Sequence, residues 1–322
     1  MDKKLFCFLD VLGFSSLVSN DEYEVSDIFN RLQLISDVAI TDQKIREARK
    51  TSLEVSNPNC KIELSGLENY QWGSDSMFAY GNSDNCDLCI FQIAHFIYES
   101  LQQSITYFPK LKKEIPLLLL RGGIALGEVN AIQMPAIFNK KIHHTINVFG
   151  KAVLKATSYE KQIKGPRVFL DDIVYSHLYD QKAKELIIHP YDISREDMYE
   201  LLWPMIAFSE KNLIEYKSTD ELNILNELLG IAAYYFDIYK SKKGRSRDHF
   251  DEFVCLILRS AKQFYTIHNR LDLLNDYIEE LNSPSISVPI FHKNCSIPRY
   301  AWTECFKIYV INMFKKIVCS SC

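Results

Sequence analysis

From residue 5 the chain reads Leu-Phe-Cys-Phe-Leu-Asp-Val-Leu, apolar throughout except for Asp10, and Gly13 follows. An apolar run of this length that ends in a turn signal predicts a central strand covered on both faces. Val25, Ile28, Phe29, Leu32, Leu34, Ile35, Val38 and Ala39 then recur with a helical period. The polar segment 41–59 reads as a loop or frayed helix end. Residues 60–80 predict two strands joined by a tight turn at Gly73-Ser74-Asp75-Ser76. Leu88, Phe91, Ile93, Ala94, Ile97, Leu101 and Ile105 predict an amphipathic helix over 87–108. Residues 115–130 predict a buried strand, a glycine pair (Gly122-Gly123) needing close packing or unusual dihedrals, and a second strand. Further on come a short strand at 146–149, a helix opened by Gly150 and running to about Gln162, and a strand at 168–170. Segments 183–190 and 199–208 supply shorter strand-like pieces.

From about residue 210 only the helical period remains. Leu222, Leu225, Leu228, Leu229, Ala232, Tyr235, Phe236 and Tyr239 follow it, as do Phe250, Phe253, Val254, Ile257, Ala261 and Phe264. Leu271, Leu274, Ile278 and Leu281 continue it, and residues 301–318 repeat it. Strands mixed with helices, then helices alone, predict an α+β core over 1–208 and an all-helical C-terminal extension over 209–322.

Composition narrows the function classes. The 322 residues are 47% hydrophobic and 24% charged, which is globular rather than disordered. A net charge of −4 argues against holding a nucleic-acid duplex electrostatically and leaves a small polyanion site open. Nine scattered cysteines in a chain able to bury its own core point to a reducing, cytoplasmic setting rather than a disulfide framework. The basic-then-apolar N-terminus is broken by Asp10 before it makes a signal peptide, and the apolar stretch 115–126 is interrupted by Arg121 and too short to span a bilayer. No membrane or nucleic-acid partner is expected.

Two acids carry the candidate chemistry. Asp10 interrupts a buried strand, where an unpartnered carboxylate costs several kcal/mol. Asp75 sits in a hairpin turn between small residues that permit close approach. Each alone is explained as a structural aspartate, a buried hydrogen-bonded acid or a turn former. Facing each other, they would make the direct carboxylate ligands of Mg²⁺ or Mn²⁺ on a triphosphate.

Four segments carry a resemblance. Phe8-Leu-Asp10-Val-Leu-Gly13-Phe14 resembles the opening strand of class III nucleotidyl cyclases, where an Asp precedes a glycine-aromatic turn. Gly73-Ser74-Asp75-Ser76 is similar to that family's Gly-Asp hairpin, which carries the second metal-binding Asp. Leu120-Arg121-Gly122-Gly123-Ile124-Ala-Leu-Gly127 resembles its R-x-G-I-x-x-G element, and Asn147-Val-Phe-Gly150-Lys-Ala-Val its strand-glycine-helix segment near base and ribose. The segments occur in family order over roughly residues 5–170, with Pro166-Arg167-Val168 suiting the next strand. Their details look like the pyrimidine nucleotide cyclases of bacterial Pycsar antiviral defence.

The resemblance implies a ferredoxin-like palm core that converts UTP to cyclic UMP and pyrophosphate, with CTP as the alternative substrate, as a second-messenger synthase. It implies two Mn²⁺ or Mg²⁺ ions on Asp10, Asp75 and the Val11 carbonyl, and a homodimer with active sites at the interface. One ion would polarise the ribose 3′-hydroxyl for in-line attack on the α-phosphate, and the other would clamp the β- and γ-phosphates. Leu12, Gly13, Phe14 and Ser15 would wrap the triphosphate with backbone N–H groups. Adenylate cyclases place Asn four and Arg eight residues after the helix-opening glycine; this chain has Leu154 and Ser158. Arg121, Lys151 and Lys155 are the candidate replacement cations. Four residues before the hairpin Asp, where adenylate cyclases have Lys and guanylate cyclases Glu, stands Gln71, beside Tyr70 and Trp72 and with Asn147 as its partner position. An amide presents donor and acceptor together to a uracil or cytosine edge.

Other signals compete. A catalytically inactive nucleotide sensor or scaffold of the same fold has no physical need for two clustered carboxylates. A GGDEF-type reading lacks its hairpin, since Gly122-Gly123 is followed by Ile-Ala. Cys86/Cys89 and Cys319/Cys322 are CxxC pairs set too far apart to favour zinc. His143-His144 read as a solvated polar loop, and Lys240–Arg247 as a solvated basic loop between helices.

Overall fold

The computed structural model describes residues 3–14, 66–73, 75–107, 118–138, 141–162, 164–190, 192, 195–211, 220–240, 244–281 and 302–319. The helix expected at 24–40, the loop at 41–59 and the start of the first hairpin strand lie outside them. The elements are β1 (Lys3–Val11), β2 (Leu67–Gly73), β3 (Ser76–Asn82), α1 (Cys86–Tyr107), β4 (Leu120–Glu128), β5 (Asn130–Phe138) and β6 (Lys141–Phe149). There follow α2 (Lys151–Glu160), β7 (Val168–Asp171), α3 (Asp172–Ser176), α4 (Gln181–Glu185), β8 (Ile187–Ile188), β9 (Met198–Leu201) and α5 (Met205–Lys211). Helices alone complete the chain: α6 (Asp220–Lys240), α7 (Arg245–Ile267), α8 (Leu271–Glu280) and α9 (Glu304–Cys319). The architecture is α+β with a helical C-terminal part.

Seven strands form one sheet in the order β2-β3-β1-β4-β7-β9-β8, while β5 and β6 pair as a separate ribbon. β1 is central and antiparallel to both β3 and β4. Its alternation divides the structure. Leu5, Cys7, Leu9 and Val11 face a large core shared with α1 and the C-terminal helices. Phe6 and Phe8 face the other way, toward α2, and Asp10 follows them by the two-residue period.

Several expectations are corrected. The glycine pair does not divide 115–130 into two strands, because Gly122 and Gly123 lie inside the single strand β4. His143 and His144 belong to β6 rather than to a loop, and 146–149 is only the end of that longer strand. Segment 183–190 holds the end of α4 and the two-residue β8, and 199–208 passes from β9 into α5.

Gly123 of β4 serves helix approach. Ala152 and Ala156 of α2 are buried against this strand, and a Cβ at Gly123 would lie 2.3 Å from the Ala156 carbonyl oxygen. A Cβ at Gly127 would meet only ordinary contacts at 3.6 Å from Ala152. Gly123→Ala is therefore expected to cost about 1–3 kcal/mol by overpacking, and Gly127→Ala less than about 1 kcal/mol. Urea denaturation of the two variants measures the difference. Gly150, which opens α2, has φ 145° and no room for a Cβ beside the Glu128 carbonyl.

The helical part shares its core with the sheet. Trp203 stacks on Phe253 of α7 at 6.5 Å and donates its indole N–H to the Pro166 carbonyl at 2.8 Å. Phe208 stacks on Phe264 at 5.0 Å. The seam also carries buried charge. Arg167, just before β7, donates to both oxygens of Glu200 on β9, each at 2.9 Å, and Arg259 of α7 donates to the same carboxylate at 2.8 Å. No helix among the described residues is long and apolar enough to cross a membrane.

Candidate active site

Register brings the two acids together. Asp10 is the cross-strand partner of Ser76 on β3 and of Arg121 on β4. Asp75 precedes Ser76 in the hairpin turn, and its carbonyl accepts the Val11 N–H at 2.9 Å, tying the end of β1 to the turn. The Ser76 hydroxyl lies 3.5 Å from Asp10 Oδ1 and 3.4 Å from Asp75 Oδ1, so these two carboxylate oxygens are less than about 7 Å apart. One hydroxyl has one proton and both contacts are long, so it leaves much of the acceptor capacity of the pair unmet.

On the other side of Asp10, Arg121 donates through Nε at 3.3 Å and a terminal nitrogen at 3.2 Å to Oδ2. The same terminal nitrogen forms an ion pair with Glu160, the last residue of α2. Side-chain exposures of 18% for Asp10, 24% for Arg121 and 12% for Glu160 put the trio at the edge of the interior. Burial pushes the Asp10 carboxyl above the usual carboxylate range, Arg121 pulls it down, and Glu160 and Asp75 push it up again. Asp10, Asp75 and Arg121 are the residues the sequence motifs mark, and Glu160 lies outside those motifs. A signal existed: a carboxylate ending a helix with no basic residue in its last turn opposes the helix dipole and needs a partner elsewhere.

These residues fit a divalent cation. Two carboxylates and a backbone carbonyl are hard oxygen donors, and Mg²⁺ is normally held by one or two carboxylates together with waters and substrate phosphates.

Other named residues fall in different places. Gly13 has φ 76° and open surroundings, which fits the turn after β1. Leu12 and Phe14 pack against the core, and the Leu12 N–H donates to the Leu119 carbonyl at 2.8 Å. That N–H is committed to the sheet edge and cannot serve a phosphate as expected. Ser15 lies outside the described residues. Lys151 is exposed at the start of α2, whereas Lys155 forms an ion pair with fully buried Asp171.

Gln71 and Tyr70 are separated by strand alternation. Tyr70 and Trp72 pack on the α1 side, with Trp72 6.0 Å from Phe96. Gln71 is paired with Phe78, which belongs to the α2-side cluster of Phe6 and Phe8, and so shares the face of Asp10. Tyr70 is thereby corrected as a neighbour of the Asp10 site, since it lies on the opposite face of the sheet. Gln71 Oε1 is buried with no hydrogen-bond partner among the described residues. Asn147 is exposed on the β5–β6 ribbon opposite Ile132, on the face it shares with exposed Phe149. Leu154, at the position of the family's Asn, is 73% exposed.

The CxxC pair at the start of α1 consists of free buried thiols, and burial pushes Cys86 up to about 12.

Solved nucleotidyl cyclase domains are similar to this chain. The adenylyl cyclase CyaB from P. aeruginosa is 17% identical with a TM-score of 0.40, covering 62% of this chain and 93% of that one. The guanylate cyclase domain of RhGC from Catenaria anguillulae, in complex with GTP, is 15% identical with a TM-score of 0.41, covering 62% and 96%. A bacterial light-regulated adenylyl cyclase is 19% identical with a TM-score of 0.41, covering 66% of this chain and 58% of that one. No protein-family model and no curated protein matches the sequence.

Proposed function

We propose that the chain is a nucleotidyl cyclase that closes a pyrimidine nucleoside triphosphate, UTP, to its 3′,5′-cyclic monophosphate with release of pyrophosphate. The observation that carries this reading is the Asp10–Asp75 pair, held on either side of one hydroxyl at the end of a central strand. Divalent ions bound there would supply the charge that activates a ribose 3′-hydroxyl and neutralises a triphosphate. The chain's own part is positioning. Asp10 and Asp75 fix the donor oxygens, and the Val11 N–H on the Asp75 carbonyl ties the end of β1 to the hairpin turn. Exposed Lys151 is the cation of the motif set left for phosphate oxygens, because Arg121 is paired with Asp10 and Glu160 and Lys155 with Asp171.

Gln71 supports a non-purine base. Its unpartnered carbonyl oxygen needs an N–H donor, and the amide matches the donor–acceptor edge of uracil or of cytosine. The resemblance places UTP ahead of CTP and the product in antiviral signalling. Exposed Ile132, Asn147 and Phe149 form a face suited to a second copy, which would bring Asn147 to a site shared between chains.

A second reading, an inactive nucleotide sensor, is favoured by exposed Leu154 where the family's Asn would stand. The test is to incubate the purified chain with equal ATP, GTP, CTP and UTP plus Mn²⁺ and identify products by mass spectrometry. Cyclic UMP as the main product is expected. Cyclic CMP would move the assignment to the alternative base, and nucleotide binding without any cyclic product would establish the sensor.

A further inference from the structure

Arg121 is shared by two carboxylates. Its terminal nitrogen contacts both Asp10 and Glu160, and its Nε donates to Asp10. The geometry is set by packing rather than by the charges themselves. Gly123 lets α2 lie close on β4 at Ala156 and Tyr159, and that contact brings the last turn of α2 beside Arg121. Glu160 ends this helix, where its charge opposes the exposed carbonyls of the last turn, and no basic residue of that turn compensates it. Its compensating charge comes from the neighbouring strand.

The trio of one guanidinium and two carboxylates has a net charge of −1. Asp10 Oδ2 takes part of the guanidinium, and Oδ1 looks the other way, toward Ser76 and Asp75. A divalent cation at the acid pair therefore competes with Arg121 for the same carboxylate. We propose that Glu160 is a positioning residue that draws Arg121 partly off Asp10 and so keeps Asp10 open to a divalent cation. This rests on the metal-binding reading of Asp10 and Asp75 above. Without the Glu160 charge, the guanidinium closes on Asp10 alone and must be displaced by the incoming cation.

The test uses the full chain without nucleotide and Mn²⁺ alone as the probe, with free Mn²⁺ followed by electron paramagnetic resonance at fixed ionic strength. Wild type, E160Q, R121Q, the R121Q/E160Q pair and a D10N control are compared. E160Q is expected to weaken Mn²⁺ binding about fivefold, the scale of one partly exposed charge contact. In the R121Q background the same change is expected to cost less, no more than about twofold, because Glu160 acts mainly through Arg121 and only weakly through its own field. A wild-type Kd in E160Q, or an equal loss in the R121Q background, would overturn the proposal and leave the metal site standing. Wild-type protein that binds no Mn²⁺, or binds it equally well as D10N, would overturn the metal site and this proposal together. Should E160Q fail to fold, E160D replaces it: partial rescue, a Kd between wild type and fivefold weaker, supports the positioning role, and an unchanged Kd overturns it.

Discussion

Asp10→Asn is expected to lower cyclic-nucleotide formation by at least about three orders of magnitude while leaving the thermal unfolding midpoint unchanged or raised. The first half follows from the scale of divalent-ion stabilisation, several kcal/mol at about 1.36 kcal/mol per decade of rate. The second half follows from the surroundings. Burial disfavours the Asp10 charge, and Glu160 and Asp75 disfavour it further. Asparagine removes that charge, can still accept from Ser76, and leaves Arg121 with Glu160 as its partner. An aspartate retained for stability would show the reverse, a loss of activity that tracks a loss of fold. Initial rates in Mn²⁺ beside calorimetric unfolding separate the two, and Asp75→Asn should behave alike.

Glu200→Gln is expected to have the largest effect on stability, a loss of about 3–5 kcal/mol, because it leaves two buried guanidinium groups without their shared counter-charge. Glu200 is fully buried, and Arg167 and Arg259 are nearly so. Asp192 still binds Arg167 at 2.6 and 2.8 Å, which spares that side of the network, whereas Glu252 approaches Arg259 no closer than 3.6 Å. The pH dependence has a definite sign. Burial raises the Glu200 carboxyl, but Arg259 and Arg167 outweigh it and hold the group below its ordinary 4.5. A depressed carboxylate stabilises the fold above the unfolded value and loses that contribution as pH falls through the folded one. Wild type should thus lose stability below about pH 4.5 more steeply than Glu200→Gln, as read by urea midpoints at pH 3.5–7. Because Glu200 is on the sheet and Arg259 on α7, the variant should loosen the helical part from the sheet. Faster hydrogen exchange in α7 would report that.

Much of this arrangement is legible in the residues, and the failures have physical causes. The apolar run with one acid marks β1, and the small-residue turn around Asp75 marks the hairpin. Strand register then does what spacing alone cannot, setting Asp10 against Ser76 and Arg121 at once. The glycine pair at 122–123 looks like a break when read along the chain, yet Gly122 admits the backbone of β1 at Phe8 and Gly123 admits α2 at Ala156. Only the end of the β5–β6 ribbon, 146–149, reads as a strand, because the ribbon pairs with itself apart from the main sheet and Pro135 and the polar run after Phe138 hide its alternation. Tyr70 and Gln71 are adjacent in sequence but point to opposite faces of β2, as the two-residue period of a strand requires. Glu160 could not be paired with Arg121 from periodicity, since their contact exists only once helix and sheet have packed. The buried Arg167–Glu200–Arg259 bridge was hidden for the same reason.

The most direct measurement follows cyclic nucleotide and pyrophosphate together from a single incubation of the full chain with UTP and Mn²⁺, beside Asp10→Asn. Equal amounts of cyclic UMP and pyrophosphate from wild type, and neither from the variant, are expected of a cyclase whose paired carboxylates hold the catalytic ions. Absence of cyclic product from wild type with any nucleoside triphosphate, or undiminished product from Asp10→Asn, would contradict it.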